Sequence, residues 1–280
     1  ATTAASVVST WASVTPTTQR RSQKQLHDEW EYLGGSELEP LLQSGAIALL
    51  DAAWLVELAE SGKRIERRQD LPKEAFLSLD DLKAAGSVRD GLPIAMLSYP
   101  WLSPSHPDPR RDTLLTLARV LAAFIDNVGY GVAERRRWGV FWDFASLHQH
   151  PPEDVGGSRT MEEDALFKQG LEGLGRFYSH PRTTVFRMTR MPENWPQDYN
   201  LPKNANVADY INRGWCYTEQ CWASLTKDYD FSLDLGRLPP LVLSGSPTRS
   251  ARMSTKREII EACTKGGGRR PPLTPEQFDE

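Results

Sequence analysis

The run Ile94-Ala95-Met96-Leu97-Ser98-Tyr99 is apolar along nearly its whole length and is stopped by Pro100. It lacks the alternation of a half-solvated strand, so it reads as a strand buried on both faces, and such strands belong to parallel sheets. A parallel sheet needs a crossover after each strand. Leu114, Leu117, Leu121, Phe124 and Val128 supply one at helical spacing from Asp112, and Gly129 stops it. The unit then repeats. Trp138 to Asp143 is a second buried strand, Met161 to Tyr178 a helix with Leu166, Phe167, Leu171, Leu174 and Phe177 on one side, and Thr183 to Met188 a third strand. A helix from about Gly214 to Leu225 follows, and Asp230 to Leu235 reads as a fourth strand before Pro239-Pro240. Strands alternating with helices of ~10 or more residues predict right-handed crossovers and an α/β fold, a doubly wound parallel sheet flanked by helices.

Outside this unit the pattern is looser. Residues 1–24, polar, small and Thr/Ser-rich, read as a flexible leader. Residues 25–90 read as an N-terminal helical extension. There Ala46 to Glu60 is apolar at helical intervals through Leu50, Trp54 and Leu58, and Pro72 to Phe76 and Ser78 to Ala85 suggest two short helices, the second capped by Ser78 or Asp80 and stopped at Gly86. The α/β domain covers 91–237. Residues 238–280 read as a truncated C-terminal extension with a short strand at Leu241 to Leu243, a helix at Thr255 to Cys263 and a linker at Gly266 to Pro272. The start at Ala1, without Met, and the abrupt end suggest a fragment or a processed product.

Composition excludes several classes. The 280 residues are 39% hydrophobic and 25% charged, enough for a substantial core in a globular chain. A net charge of -4 offers no global attraction for nucleic acid or an anionic membrane. No apolar run approaches ~18 residues, so no transmembrane helix is expected. Cys216, Cys221 and Cys263 are odd in number and lack CxxC spacing, which argues against disulfides or structural zinc and for a reducing, cytoplasmic compartment. Neither a P-loop nor a G-x-G-x-x-G fingerprint occurs.

The chemistry concentrates on the helix after the third strand. At about 100° per residue, Trp215, Glu219 and Trp222 share one stripe, so this arc should carry a carboxylate inward among indoles, where it must be paired, protonated or used. In open parallel sheets, ligands bind outside the carboxyl ends of the strands. The residues leaving those ends are Ser98, Tyr99 and Trp101, then Asp143, Phe144 and Ser146, then Thr189 and Arg190, with the third loop leading into Arg213 and Glu219.

These motifs carry a resemblance. Leu97-Ser98-Tyr99 ending a first strand, and Trp215-Cys216-Tyr217-Thr218-Glu219 on the helix after the third, resemble the Toll/interleukin receptor (TIR) superfamily, whose plant-type members carry Trp-Cys-x-x-Glu there. Phe141-Trp142-Asp143-Phe144-Ala145-Ser146-Leu147-His148-Gln149 is similar to the second-strand motif of the fungal heterokaryon-incompatibility (HET) branch. The resemblance spans roughly Pro93 to Leu235 and implies a TIR-like, flavodoxin-like topology. It implies Glu219 as the catalytic carboxylate of an NAD glycohydrolase that cleaves the nicotinamide-ribose bond in a cell-death or immune signalling pathway, with NAD a substrate and no bound cofactor. Ser98, Tyr99, Trp101, Asp143, Ser146, Arg213 and Trp215 are the expected binding residues around it. The alternative is a non-catalytic signalling module acting by self-association. Pro100-Trp101 stands where plant TIR domains carry Arg-Gly, and the loop from Phe144 to Gly157 is longer than usual.

Each residue also has a plainer role. Glu219 could pair with Arg213 or Arg190 for structure alone. Trp215 and Trp222 read as core before substrate platforms, and Asp143 as the cap of a turn before a ligand-binding acid. His106 with Asp108, or His148 with His150, makes two metal ligands at most, so no metal is expected. Cys216 on a buried helix face reads as inert.

Overall fold

Every residue from Ile94 to Ser98 is buried in the strand they form, as a continuous apolar run requires. The computed structural model describes residues 22–86, 91–125, 137–151, 156–239 and 255–264. Among them the chain runs α1 (Gln23–Tyr32), α2 (Glu39–Gln43), β1 (Leu49–Asp51), α3 (Ala52–Glu60), β2 (Phe76–Leu77), α4 (Leu79–Ala85), β3 (Ile94–Ser98) and α5 (Asp112–Ile125). It continues through β4 (Gly139–Phe141), α6 (Asp143–Ser146), α7 (Met161–Ser179), β5 (Thr184–Arg187), α8 (Gly214–Thr226), β6 (Ser232–Asp234) and α9 (Lys256–Thr264). Helix starts follow local chemistry: Ser78 and Asp81 close a capping box on α4, and Thr160 and Glu163 close one on α7.

The fold is mixed α/β, built on a six-stranded, mostly parallel sheet in the order β2-β1-β4-β3-β5-β6. β3 lies between β4 and β5 and is parallel to both, with Met96 opposite Phe141 and Val185, and β6 extends the parallel set beyond β5. The three expected strands are thus adjacent and parallel. The N-terminal section differs from expectation. The apolar stretch read as one helix from Ala46 to Glu60 is split: Leu49–Asp51 is a strand antiparallel to β4, and Asp51 then caps α3 by accepting from the Ala53 amide at 2.8 Å. A three-residue strand is too short to impose a period on a stretch that is apolar throughout. Phe76, expected at the end of a short helix, forms with Leu77 a strand that pairs with β1 instead. Residues 25–90 therefore supply two strands of the sheet as well as helices, and α1 begins at Gln23, inside the expected leader. Asp143 opens α6 and does not extend the second strand. The expected strand at 241–243 and linker at 266–272 lie outside the described residues.

Alternation along the strands divides the core in two. Ala95 and Leu97 pack with Leu55 of α3, Leu117 of α5 and Ile259 of α9, whereas Ile94 and Met96 pack with Trp30 of α1, Leu41 of α2 and Leu174 of α7. Both faces are covered, so both sets of side chains must be apolar. α9 belongs to the core through Ile259, Ile260 and Cys263, all buried. Gly170 lets α7 approach closely, since a Cβ there would stand 2.7 Å from Leu147 and 2.8 Å from the Ala46 carbonyl oxygen. The three cysteines are free and buried. Among the described residues no helix is long and apolar enough to cross a membrane.

Candidate functional site

Residues leaving the carboxyl ends of β3 and β4, joined by the loop before α8 and its first turns, line a cleft of about 600 Å³. β3 delivers Tyr99 and, beyond Pro100, Trp101; α6 delivers Asp143; α8 delivers Trp215, Cys216 and Glu219. This is where the sheet geometry puts a ligand. On α8 the buried residues are Cys216, Glu219, Cys221 and Ala223, and Trp215 is 57% exposed. The inward arc is therefore rotated from the expected stripe: Cys216 and Ala223 are small enough for close packing, and the indole of Trp215 is left at the cleft. Trp222 is half-buried, its ring 6.3 Å from that of Tyr178.

Glu219 is 8% exposed. Its Oε2 accepts from Ser98 Oγ at 2.5 Å, and the Tyr210 hydroxyl lies 2.7 Å from the same Ser98 oxygen. A serine hydroxyl has one proton, so when Ser98 donates to Glu219 it is Tyr210 that donates to Ser98. Burial raises the Glu219 pKa to about 8; the Ser98 bond opposes the rise, the Asp143 carboxyl adds to it and Tyr178 opposes it. At neutral pH the group is mostly a neutral acid. The expected cationic partners are engaged elsewhere: Arg190 donates to the Leu238 carbonyl at 2.7 Å, and Arg213 is spent on three carbonyls.

Asp143 is the second carboxyl of the cleft. Tyr99 donates to its Oδ1 at 2.6 Å, Trp101 Nε1 to its Oδ2 at 2.9 Å and the Phe144 amide to Oδ1 at 2.6 Å. Burial raises its pKa, and the Tyr99 and Trp101 bonds oppose that rise. The expected cap role is not the one found: Trp142 stands at the N-cap of α6 without a side-chain cap bond, and Asp143, the first residue of the helix, turns its carboxyl to the cleft. Two carboxyls share one cavity, one held by the hydroxyls of Ser98 and Tyr178 and the other by Tyr99, Trp101 and the Phe144 amide, which is the kind of difference that separates acid and base roles.

The remaining expected residues divide. Ser98 sits behind Glu219, fully buried, and acts through it. Arg213 lines the cleft, but Nε donates to Ala208 O at 2.8 Å, Nη1 to Trp101 O at 2.7 Å and Nη2 to Asn206 O at 2.8 Å, so it clamps two rim loops together and has little left for a ligand. Ser146 does not reach the cleft: it is fully buried, its Oγ accepts from the Trp142 amide at 2.9 Å and its carbonyl from Ala48 and Arg68. The α6 turn points its side chain back at β4.

Strand-end reasoning missed the outer wall. Arg159, stacked 3.7 Å over Phe167, and Leu171 and Leu174 line it. α7 passes over the cleft, and its apolar face reads from sequence as core alone. Gln149 was visible as the end of the HET-like motif; its Nε2 donates to the carbonyls of Asp143 and Leu147 at 3.0 and 3.2 Å and closes that loop. No group of three metal-ligating side chains occurs among the described residues. His106 instead bonds the Ile65 carbonyl, and Asp108 accepts from the Thr113 and Leu114 amides at the start of α5. Comparison with protein-family models, curated proteins and solved structures gave no match.

Proposed function

We propose that this chain is a TIR-like NAD glycohydrolase and that Glu219 is its catalytic carboxylate. The observation that carries the reading is the position of Glu219, buried beside Asp143 in an aromatic-walled cleft at the carboxyl edge of a parallel sheet. The topology agrees. Counting the parallel strands alone in chain order, β4-β3-β5-β6 is the order 2-1-3-4, which is compatible with a doubly wound, flavodoxin-like sheet.

In the reaction, water attacks C1′ of the nicotinamide-bearing ribose and the C–N bond breaks. Its electron pair goes to the pyridinium nitrogen, so nicotinamide leaves neutral, and the water's second proton is released with ADP-ribose as product. The ribose becomes cationic in the transition state, where ionised Glu219 stabilises it. Trp101 and Trp215 offer faces to the nicotinamide ring, and Tyr99 and Trp101 hold Asp143. Arg213 at the N-cap of α8 makes no side-chain cap bond, and the N–H groups of the first turn suit the diphosphate. Because the substrate ring is cationic, its entry favours loss of the Glu219 proton, and kcat/KM rises with pH through about 8.

The test is nicotinamide release from NAD by concentrated protein, wild type against Glu219→Gln. Release by the wild type and its loss in a folded variant support the reading; equal release by both removes Glu219 from the chemistry. A second reading, a self-associating module without catalysis, is favoured by the exposure of Trp215 and Leu225 on α8, at 57% and 59%. Mass by light scattering over a concentration series, wild type against Leu225→Asp, distinguishes it.

A further inference from the structure

A second cavity, of about 730 Å³, lies along the last turns of α8, reached from Gln220, Ala223 and Ser224, whereas the cleft uses the helix from Gly214 to Glu219. Its sheet wall is the carboxyl end of β5, which contributes Arg187, and the short β6, which contributes Ser232 and Asp234. Strand alternation puts Arg187 on the same face as Val185, at the point where the apolar core stops. A cation at that position needs acceptors, yet Nε of Arg187 is buried and meets none among the described residues.

The other charges of the cavity are accounted for. Asp234 is paired with Arg237 at 3.1 Å and also accepts from the Gly236 amide and from Thr189. Asp209 and Asp228 are exposed at the rim, in water. The Lys227 ammonium turns away to His180 O, Thr183 O and Thr183 Oγ1. Arg187 lines the cavity beside Ser232 and Tyr210, opposite Asp234 on the neighbouring strand, and its Nε is left without an acceptor among the described residues.

We propose that this cavity binds a small oxyanion of the phosphate monoester class, anchored by Arg187. The planar fork of a guanidinium matches two oxygens of such an anion, and partial burial strengthens the charge-assisted bonds. The proposal does not depend on any activity at Glu219. The two sites are nevertheless linked, because Tyr210 lines this cavity and shares a hydrogen bond with Ser98, which donates to Glu219.

Isothermal titration calorimetry with methyl phosphate as the probe, and acetate as the comparison, tests the assignment on the full chain. Wild type should bind one methyl phosphate per chain, more tightly than acetate. Arg187→Gln should weaken binding on the order of tenfold or more, and Ser224→Phe should abolish it by filling the space while keeping the arginine. Absence of binding by the wild type overturns the site, as does undiminished affinity in Ser224→Phe or in a folded Arg187→Gln. Acetate bound as tightly as methyl phosphate overturns the ligand class.

Discussion

Glu219, midway along α8, and Lys227, just past its last residue, stand eight residues apart, and both are ionisable residues taken out of water. Burial drives them in opposite directions, the carboxyl up to about 8 and the ammonium down to about 7. Only one of them is placed for chemistry. Lys227 donates to Thr183 O at 2.7 Å, to Thr183 Oγ1 at 2.8 Å and to His180 O, tying the end of α8 to the turn between α7 and β5. Glu219 borders a cleft, and Ser98 donates to its carboxyl. A shifted pKa alone therefore does not mark a site. A shifted pKa beside open, aromatic-lined space does.

The largest effect expected on this comparison is catalytic. Glu219→Gln should slow nicotinamide release on the order of 10²-fold or more, the usual cost of removing a preorganised electrostatic partner. Its melting temperature at neutral pH should lie above the wild-type value, because the amide needs no proton to be buried, whereas the unfolded Glu219 must take one up on folding there. A large fall in melting temperature with unchanged release would make Glu219 the structural residue of the pair.

Next comes the pH dependence of stability, in which the two groups must have opposite signs. The folded Glu219 pKa lies above its unfolded value of 4.5, so the folded state binds more protons between about 4.5 and 8, and stability falls as pH rises through that window. The folded Lys227 pKa lies below 10.5, so the folded state binds fewer protons between about 7 and 10.5, and stability rises there. Each contributes up to about 1.4 kcal/mol per pH unit of its window. Urea denaturation of Glu219→Gln should show an advantage over wild type that grows from pH 5 to 8 and then levels. A pH-independent difference would mean that Glu219 titrates normally.

Third, Lys227→Met should leave nicotinamide release intact while costing about 1–3 kcal/mol, because the carbonyls of His180 and Thr183 lose a buried donor. For a domain of this size that is a drop of about 2–10 °C in melting temperature. Lost release with unchanged stability would reverse the roles assigned to the two residues.

The sequence made one of these residues legible and hid the other. Glu219 stood out because a carboxylate at the spacing of Trp215 and Trp222 conflicts with an apolar arc, and the parallel strands stood out because apolar runs such as Ile94 to Tyr99 have no polar face. Lys227 follows the apolar part of the helix, where a lysine reads as an ordinary solvated end, and its acceptors come from residues 44 to 47 positions earlier in the chain. β1 and β2 were hidden by their brevity, and β1 also by the unbroken apolar stretch around it. Arg159 and Phe167 reach the cleft only because α7 passes over it, a fact of tertiary packing. Arg213 could be placed at the rim, but its three backbone acceptors could not be read from sequence, and they turn it from a binding residue into a clamp.

The smallest effect concerns Ser98, and it separates charge tuning from structure. Its hydroxyl bond favours the ionised form of Glu219, so Ser98→Ala should raise that pKa further. The midpoint of kcat/KM against pH should then move upward by about one unit, with release reduced at pH 7 and restored at high pH where Glu219 is ionised in both proteins. Tyr210 loses its Ser98 partner in the same variant, which lowers stability without moving the midpoint. The matching deletion at the end of α8, Thr183→Val, removes an acceptor from Lys227 and should lower the melting temperature with no change in the profile. A profile that falls uniformly at all pH values in Ser98→Ala, with an unmoved midpoint, would show that Ser98 supports Glu219 by position alone, and the carboxyl in the middle of α8 would then be held as the ammonium is at its end.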